Sequence, residues 1–389
     1  MVDALVHGGA DEGWGAVADA FAVNFAEHGD VGAACAVYVD GEVVVDLWGG
    51  LADREAVRPW MDDTLTITFS TTKGVTAVVC NRLIEQGRLD ADATVAHYWP
   101  EFAANGKDRI TVGDVLAHRA GLPYVEGTFT LDEVMAVQPV VDALAAQAPV
   151  WEPGTAHGYH ARTYGWLTGE IVRRVTGESL GTWFGSELAA PLGLDFHIGL
   201  PETLEPRVAR LYPPEVDPEV QSLVDAFMAD PSTMMGRVMS GPSGLFRYDD
   251  MWNTRALHAT EMPSSNGIGD ARSLARLYAA CVGEVRTATG PFRALSDATV
   301  AAATVLRSEG TDEVLGMPLD FGLGFAGPTT LALAAGPRAF GHSGAGGSLA
   351  FADPDAGVGF GYVMNQMRLD ATGDPRAESL AAAVYSALG

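Results

Sequence analysis

Lysine is almost missing from this chain. Of its 24 basic residues, 22 are arginine, and only Lys73 and Lys107 are lysine. Where arginine is the default cation, a retained lysine points to the one property arginine lacks, the ability to lose a proton. Cysteine is scarce as well. Cys35, Cys80 and Cys281 are an odd, scattered set, with neither a disulfide framework nor metal-ligand spacing, and they read as reduced thiols of a cytoplasmic protein. Positive charge is in deficit: 50 Asp and Glu face 24 Lys and Arg, for a formal net charge of −26. With no basic cluster to offset that field, nucleic acid and anionic membrane are excluded as partners. No apolar run reaches the roughly 18 residues of a spanning helix. The opening Met1-Val2-Asp3-Ala4 has no basic segment followed by an apolar stretch, so no signal peptide is expected.

What is present is apolar material. Residues of that class make up 48% of 389 positions, enough for one large domain or two ordinary ones with a substantial core. Residues 13 to 28 repeat apolar side chains at helical spacing. Two strand-like runs follow, Val31 to Val39 and Val43 to Trp48, joined by the hairpin signal Asp40-Gly41. Thr64 to Phe69 alternates like a strand and hands over to a helical pattern from Val75. The middle is mainly helical, with Trp166 to Val175 and Ser273 to Val282 as its best segments. Strand patterns return at Gly347 to Ala352 and Val358 to Asn365 around the turn Asp353 to Gly357, and a helix from Pro375 to Leu388 closes the chain. The expected architecture is an α/β fold of the α+β type. Residues 1–75 and 291–389 supply a sheet built from both termini, and residues 76–290 supply a largely helical domain.

Ser70 and Lys73 stand three apart where the strand pattern gives way to the helix. On a helix they share a face, at the end whose dipole favours an oxyanion and disfavours an ammonium. A serine nucleophile with a lysine base needs that field. An ordinary helix start, with Ser70 as N-cap and Lys73 in solvent, suits the same residues, and both readings stand at this point. Gly341-His342-Ser343-Gly344-Ala345 and Gly241-Pro242-Ser243-Gly244-Leu245 each miss the Gly-x-Ser-x-Gly elbow at its last position. No glycine-rich nucleotide loop follows a strand. His157 and His160 lack a third metal ligand at suitable spacing, so no metal and no cofactor are expected.

Further along stand Pro153-Gly154-Thr155, then Tyr159, then Tyr164-Gly165-Trp166-Leu167-Thr168-Gly169-Glu170, and near the end Gly341-His342-Ser343-Gly344-Ala345-Gly346-Gly347. In this order, with Leu116 to Leu122, Ala189 to Leu194 and Ser265 to Arg272 as supporting stretches, the chain resembles the serine β-lactamase and penicillin-binding-protein superfamily. Within it the resemblance is to the class C β-lactamase-like esterases called family VIII carboxylesterases, and it covers nearly the whole chain. The resemblance implies a β-lactamase/transpeptidase fold. It implies that Ser70 is acylated, that Lys73 helps deprotonate it, and that Tyr159 relays the proton and helps activate water, with Lys73 supplying the positive field a phenol needs to act as a base. It also implies an oxyanion hole from the backbone N–H groups of Ser70 and Ala345, with His342, Ser343 and Gly344 on a strand lining the site. The His118 segment is read as structural.

Two departures bear on substrate. Where class C β-lactamases carry Tyr-x-Asn, this chain has Tyr159-His160-Ala161, and where they carry Lys-Thr-Gly it has His342-Ser343-Gly344. An amide that would read a β-lactam is gone, and so is a fixed cation for its carboxylate. The expected enzyme is a carboxylesterase acting on a small-molecule ester. An amide hydrolase (a D-aminopeptidase or weak β-lactamase) or an acyltransferase on the same fold is the alternative, and a non-catalytic binding protein is a further one. Six methionines crowd residues 228 to 262 (Met228, Met234, Met235, Met239, Met251 and Met262), beside Phe227, Phe246, Tyr248 and Trp252. A permissive apolar wall over Ser70 from residues 227–262, with Met234, Met239 and Trp252 binding substrate, is one reading. Irregular core filling is the other. The sequence does not set the oligomeric state or the physiological ester.

Overall fold

The computed structural model describes residues 6–215, 230–331, 336–368 and 373–389. Its strands are β1 (Val6–Ala10), β2 (Gly32–Val39), β3 (Glu42–Asp53), β4 (Arg58–Pro59), β5 (Thr66–Ile67), β6 (Phe196–His197), β7 (Ile268–Gly269), β8 (Val285–Thr287), β9 (Gly290–Phe292), β10 (Phe340–Ser343), β11 (Leu349–Asp353) and β12 (Val358–Met364). The main sheet runs β1-β3-β2-β12-β11-β10 with β4 added to β3, and every pair is antiparallel. Strands from the two ends of the sequence therefore meet at β2 and β12, in the centre. The β2–β3 turn is the one its sequence demands. Asp40 and Gly41 both take positive φ, 50° and 82°, the geometry of a tight hairpin whose twist matches its strands.

Side chains on β2 alternate between two cores, as a period of two requires. Ala33, Cys35 and Val37 join the helices Gly15–Glu27 and Pro375–Leu388 on one face, while Ala34, Ala36 and Tyr38 meet the helix Ala271–Val282 on the other. That last helix lies very close to β12. A Cβ on Gly361 would stand 2.3 Å from the Ala271 carbonyl oxygen, and one on Gly359 would stand 2.4 Å from that of Ala275. The Ala271–Val282 helix was expected in the helical domain of residues 76–290; it packs on the sheet instead, because these two glycines open a groove for its backbone. The alternating run Thr64 to Phe69 forms only a two-residue strand. It pairs with β7, Leu65 before it bridges Val208, and Phe69, at φ 43°, turns the chain out of extended geometry.

The start of the C-terminal helix is anchored by a buried ion cluster. Arg376 pairs with Asp30 at 2.8 Å and Asp374 at 2.6 Å, and the side chains of Arg376 and Asp30 are 0% exposed. Its guanidinium also donates to the carbonyls of Gln366 and Gly346, while Tyr362 donates its hydroxyl proton to Asp30. Arg376→Met would strand two carboxylates in the interior. A loss of about 3–5 kcal/mol is expected, the scale for breaking a buried pair from one side, read as a shift in the denaturant midpoint. A shift of under about 1 kcal/mol, the worth of an exposed pair, would contradict this account.

Candidate active site

The helix Thr71–Glu85 begins immediately after the turn at Phe69. Ser70 occupies the N-cap position, but its side chain makes no capping bond. It is instead 3.0 Å from Lys73 Nζ. Ser70 is partly exposed, whereas Lys73 is fully buried. The ordinary helix start, with a capping serine and a solvated lysine, is therefore not what forms.

Lys73 Nζ has two further partners, the carbonyl oxygens of Ala161 at 2.7 Å and Ser264 at 2.9 Å. Carbonyls only accept, so two N–H groups of the lysine point at them. The nitrogen's remaining tetrahedral position faces Ser70 Oγ, and in the neutral amine that position is a lone pair. Burial, joined by the positive charge of Arg162, drives the lysine well below its ordinary range, towards that neutral form. The second lysine does different work. Lys107 Nζ donates to the carbonyls of Ala104 and Gln147, the latter just past a helix C-terminus.

The carbonyls that hold Lys73 are themselves held. Thr76 donates to the Pro263 carbonyl at 2.6 Å, Thr72 accepts the Gly267 N–H at 2.8 Å, and the buried Asn266 closes the 262–267 loop by bonding Met262, Leu257 and Thr260. On the other side, His118 is wholly buried. It accepts the His160 N–H on Nδ1 at 3.1 Å, and its carbonyl accepts the Gly158 N–H. Its ring lies 5.0 Å from that of Tyr159. His160 accepts the Leu122 N–H on Nε2 and lies 2.6 Å through Nδ1 from the Gly158 carbonyl, so both its nitrogens are engaged by backbone.

Tyr159 is brought to this centre, with Lys73 Nζ 4.8 Å from its ring centroid. Its electrostatics correct the expectation of a phenol activated by the lysine's charge. Burial pushes Tyr159 above the ordinary phenol value, and the neighbouring Ser70 hydroxyl opposes this only in part. A lysine whose own charge is disfavoured by burial supplies little field. The tyrosine is a neutral phenol, able to donate and accept but not to serve as a resident phenolate.

His342 lies on β10 with its ring 6.1 Å from that of Tyr159. Burial, the largest cause, lowers it to about 3, so it is uncharged at neutral pH. Its Nδ1 is 2.6 Å from the Ser343 carbonyl oxygen, and its buried Nε2 has no partner among the described residues. Ser343 is exposed at the strand end. Gly344 donates to the Ser348 carbonyl at 2.7 Å, and a Cβ there would stand 2.2 Å from the Thr68 carbonyl oxygen. Ser348 Oγ lies 2.9 Å from Thr71 Oγ1 and donates to the Thr68 carbonyl, tying this loop to the start of the Ser70 helix. Among the described residues, the backbone N–H groups of Ser70 and Ala345 have no internal acceptor.

The methionine-rich stretch divides. Met234 and Met239, on the short helix Met234–Met239, pack on the cluster that contains Tyr159, whereas Met262 is 1% exposed in the other core. Met251 packs partly buried on that core, and its Sδ accepts the Arg247 N–H. Phe227 and Met228 lie outside the described residues. Trp252, expected among the substrate-binding residues, is 1% exposed and stands edge-on behind Phe69 at 4.9 Å, with its indole N–H given to the Arg247 carbonyl. It supports the residue before Ser70. Tyr248 is the more exposed aromatic there, 5.5 Å from Phe69.

Three contributors were not foreseen. The Ser264 carbonyl has no side-chain signature. The left-handed Phe69 gives no warning, since glycine is the usual residue for such a φ. Arg162 carried no motif, yet it is the buried cation nearest the site, lowered to about 10 and so still charged at neutral pH.

Comparison with known proteins agrees with this geometry. The family model described as Beta-lactamase matches residues 17–384. The esterase/beta-lactamase LipL of Mycobacterium tuberculosis is 38% identical over 376 residues, covering 93% of this chain and 83% of that protein. The crystal structure of a family VIII carboxylesterase superposes with a TM-score of 0.88 at 38% identity, covering 98% of this chain and all of that one. A penicillin-binding protein homologue from Caulobacter crescentus gives 0.85 at 40% identity, covering 98% and 100%. With its sheet assembled from both termini, its serine and buried lysine one helical turn apart, and a family match across nearly its full length, the chain belongs to the beta-lactamase family.

Proposed function

We propose that the protein is a serine carboxylesterase that cleaves carboxylic esters through an acyl-enzyme on Ser70. The observation that carries the proposal is the lysine nitrogen with two N–H groups committed to carbonyls and its third position facing Ser70 Oγ. In the proposed reaction Lys73 takes the Ser70 proton as the oxygen attacks the ester carbonyl. The tetrahedral oxyanion is received by the N–H groups of Ser70 and Ala345. Tyr159 passes a proton to the departing alkoxide, and the lysine's proton restores the phenol. Water then repeats the sequence on the acyl-enzyme. The esterase names of the relatives and the family VIII structure support the reading.

The ester is favoured over the β-lactam by the same site. His342 is neutral where a lactam carboxylate would want a cation, and Ala161 has no side-chain amide. The test compares kcat/KM for short p-nitrophenyl esters with that for a penicillin and a cephalosporin. The esters are expected to lead by about tenfold or more, the order of a lost polar contact. Equal or faster β-lactam turnover would overturn the ester assignment. The proposal also includes a cytoplasmic location and no cofactor. No helix among the described residues is long and apolar enough to cross a membrane.

A further inference from the structure

Arg162 is buried, three residues after Tyr159, and beyond the positive charge it adds near Lys73 its side chain takes no part in the acylation sequence above. Its surroundings are unusual for a cation. No carboxylate pairs with it among the described residues; instead its guanidinium donates to two backbone carbonyls, Met239 at 2.6 Å and Val238 at 3.2 Å. Those carbonyls end the helix Met234–Met239, where the last C=O groups of any helix lack partners and carry the negative end of its dipole. The same guanidinium lies 4.3 Å over the ring of Phe246, which is reached through the loop after that helix. Its backbone carbonyl accepts from Ser264 Oγ at 3.0 Å, and Ser264 holds Lys73. One residue, three places after Tyr159, thus joins the catalytic backbone to the end of the helix Met234–Met239 within the methionine-rich stretch.

We infer that Arg162 is the positioning residue that fastens the 234–246 segment against Tyr159 and so sets which acyl or alcohol groups the site accepts. A six-residue helix is too short to hold its own shape, and Met234 and Met239 are flexible side chains that re-pack readily. Their placement therefore depends on the fixed fork of the arginine. With Met234 and Met239 packed on the cluster of Tyr159, bulky apolar esters would lie along this segment and depend on it most; an acetyl ester would barely reach it and depend on it least. The inference rests on the esterase reading, and the experiment separates the two.

Arg162→Met and Arg162→Lys are compared with the unaltered protein by three measurements: the ratio of kcat/KM for a bulky aromatic or long-chain p-nitrophenyl ester to that for the acetate, labelling of Ser70 by a fluorophosphonate, and amide hydrogen exchange across residues 234–246. In Arg162→Met the Ser70 label is expected to persist, the ratio to change by about tenfold, the order of one lost anchoring contact, and exchange in 234–246 to accelerate. Arg162→Lys keeps a donor for the carbonyls but not the planar stack on Phe246, so it should restore the exchange rates in part and the ratio less. A folded, labelled Arg162→Met protein with unchanged ratio and unchanged exchange would overturn the inference. If the unaltered protein hydrolyses no ester, the esterase reading fails, and the exchange measurement still decides whether Arg162 fastens the segment.

Discussion

Ser70→Ala is expected to reduce ester turnover to background while leaving the fold intact. The scale is several orders of magnitude, approaching the roughly 10⁶-fold that removal of a serine nucleophile costs. The structure gives reasons for both halves of this expectation. Ser70 Oγ faces the lysine nitrogen and lies beside Tyr159, so the attack that begins the proposed sequence and the bond to the acyl group both need it. Yet it does not cap its helix, so the helix does not depend on it. Loss of a single partly exposed hydrogen bond should cost no more than about 1 kcal/mol. The measurement is kcat for a p-nitrophenyl ester alongside a denaturation curve, with the fluorophosphonate adduct of the unaltered protein mapped by mass spectrometry. Retention of more than a few per cent of the activity, or an adduct on Ser343, which is the exposed serine of the β10 edge, would assign the nucleophile elsewhere.

Lys73→Arg is expected to lose about 10²-fold or more in kcat, the contribution of a positioned general base. Arginine offers donors to the Ala161 and Ser264 carbonyls, but a guanidinium does not deprotonate in a protein, so no lone pair can face Ser70. Because the larger group must enter a fully buried site, Lys73→Ala provides the second arm. Small primary amines added to that variant should restore part of the activity, increasingly as pH raises their free-base fraction. A merely structural lysine would show no such rescue. The pH profile of the unaltered enzyme carries the same sign. A base works when neutral, so activity rises with pH through the Lys73 pKa. Burial and Arg162 hold that value well below the ordinary lysine range, which places the rising limb well below pH 10. A limb at the ordinary lysine value, or near-normal activity in Lys73→Arg, would remove Lys73 from the base role.

The secondary structure was legible wherever one residue pattern meets one local geometry. The Asp40-Gly41 hairpin, the helix from Pro375 to Leu388 and the strands on either side of Asp353 to Gly357 all stand where their periodicity and turn residues put them. The pairing of Ser70 with Lys73 was legible for the same reason, since a spacing of three on a helix fixes a shared face. Less legible was the extent of the helical region. A helix has the same amphipathic pattern whether its apolar stripe meets a sheet or another helix, and it is the room left by Gly359 and Gly361 that sets Ala271–Val282 against the sheet.

By itself, then, the sequence determined the chemistry available: a serine and a nearly unique lysine at one helix end, a tyrosine, a histidine where a relative would carry lysine, and strands at both termini to form one sheet. Only the tertiary structure decided the protonation and the shape of the site. Lysine is driven towards its neutral form by burial and by Arg162 and oriented by carbonyls from residues 161 and 264, and tyrosine is kept a phenol because the same burial disfavours its anion. These are effects of desolvation and of backbone groups far apart in the chain. A backbone carbonyl is present at every position, and burial belongs to the assembled core, so neither leaves a mark that residue identity and spacing can carry.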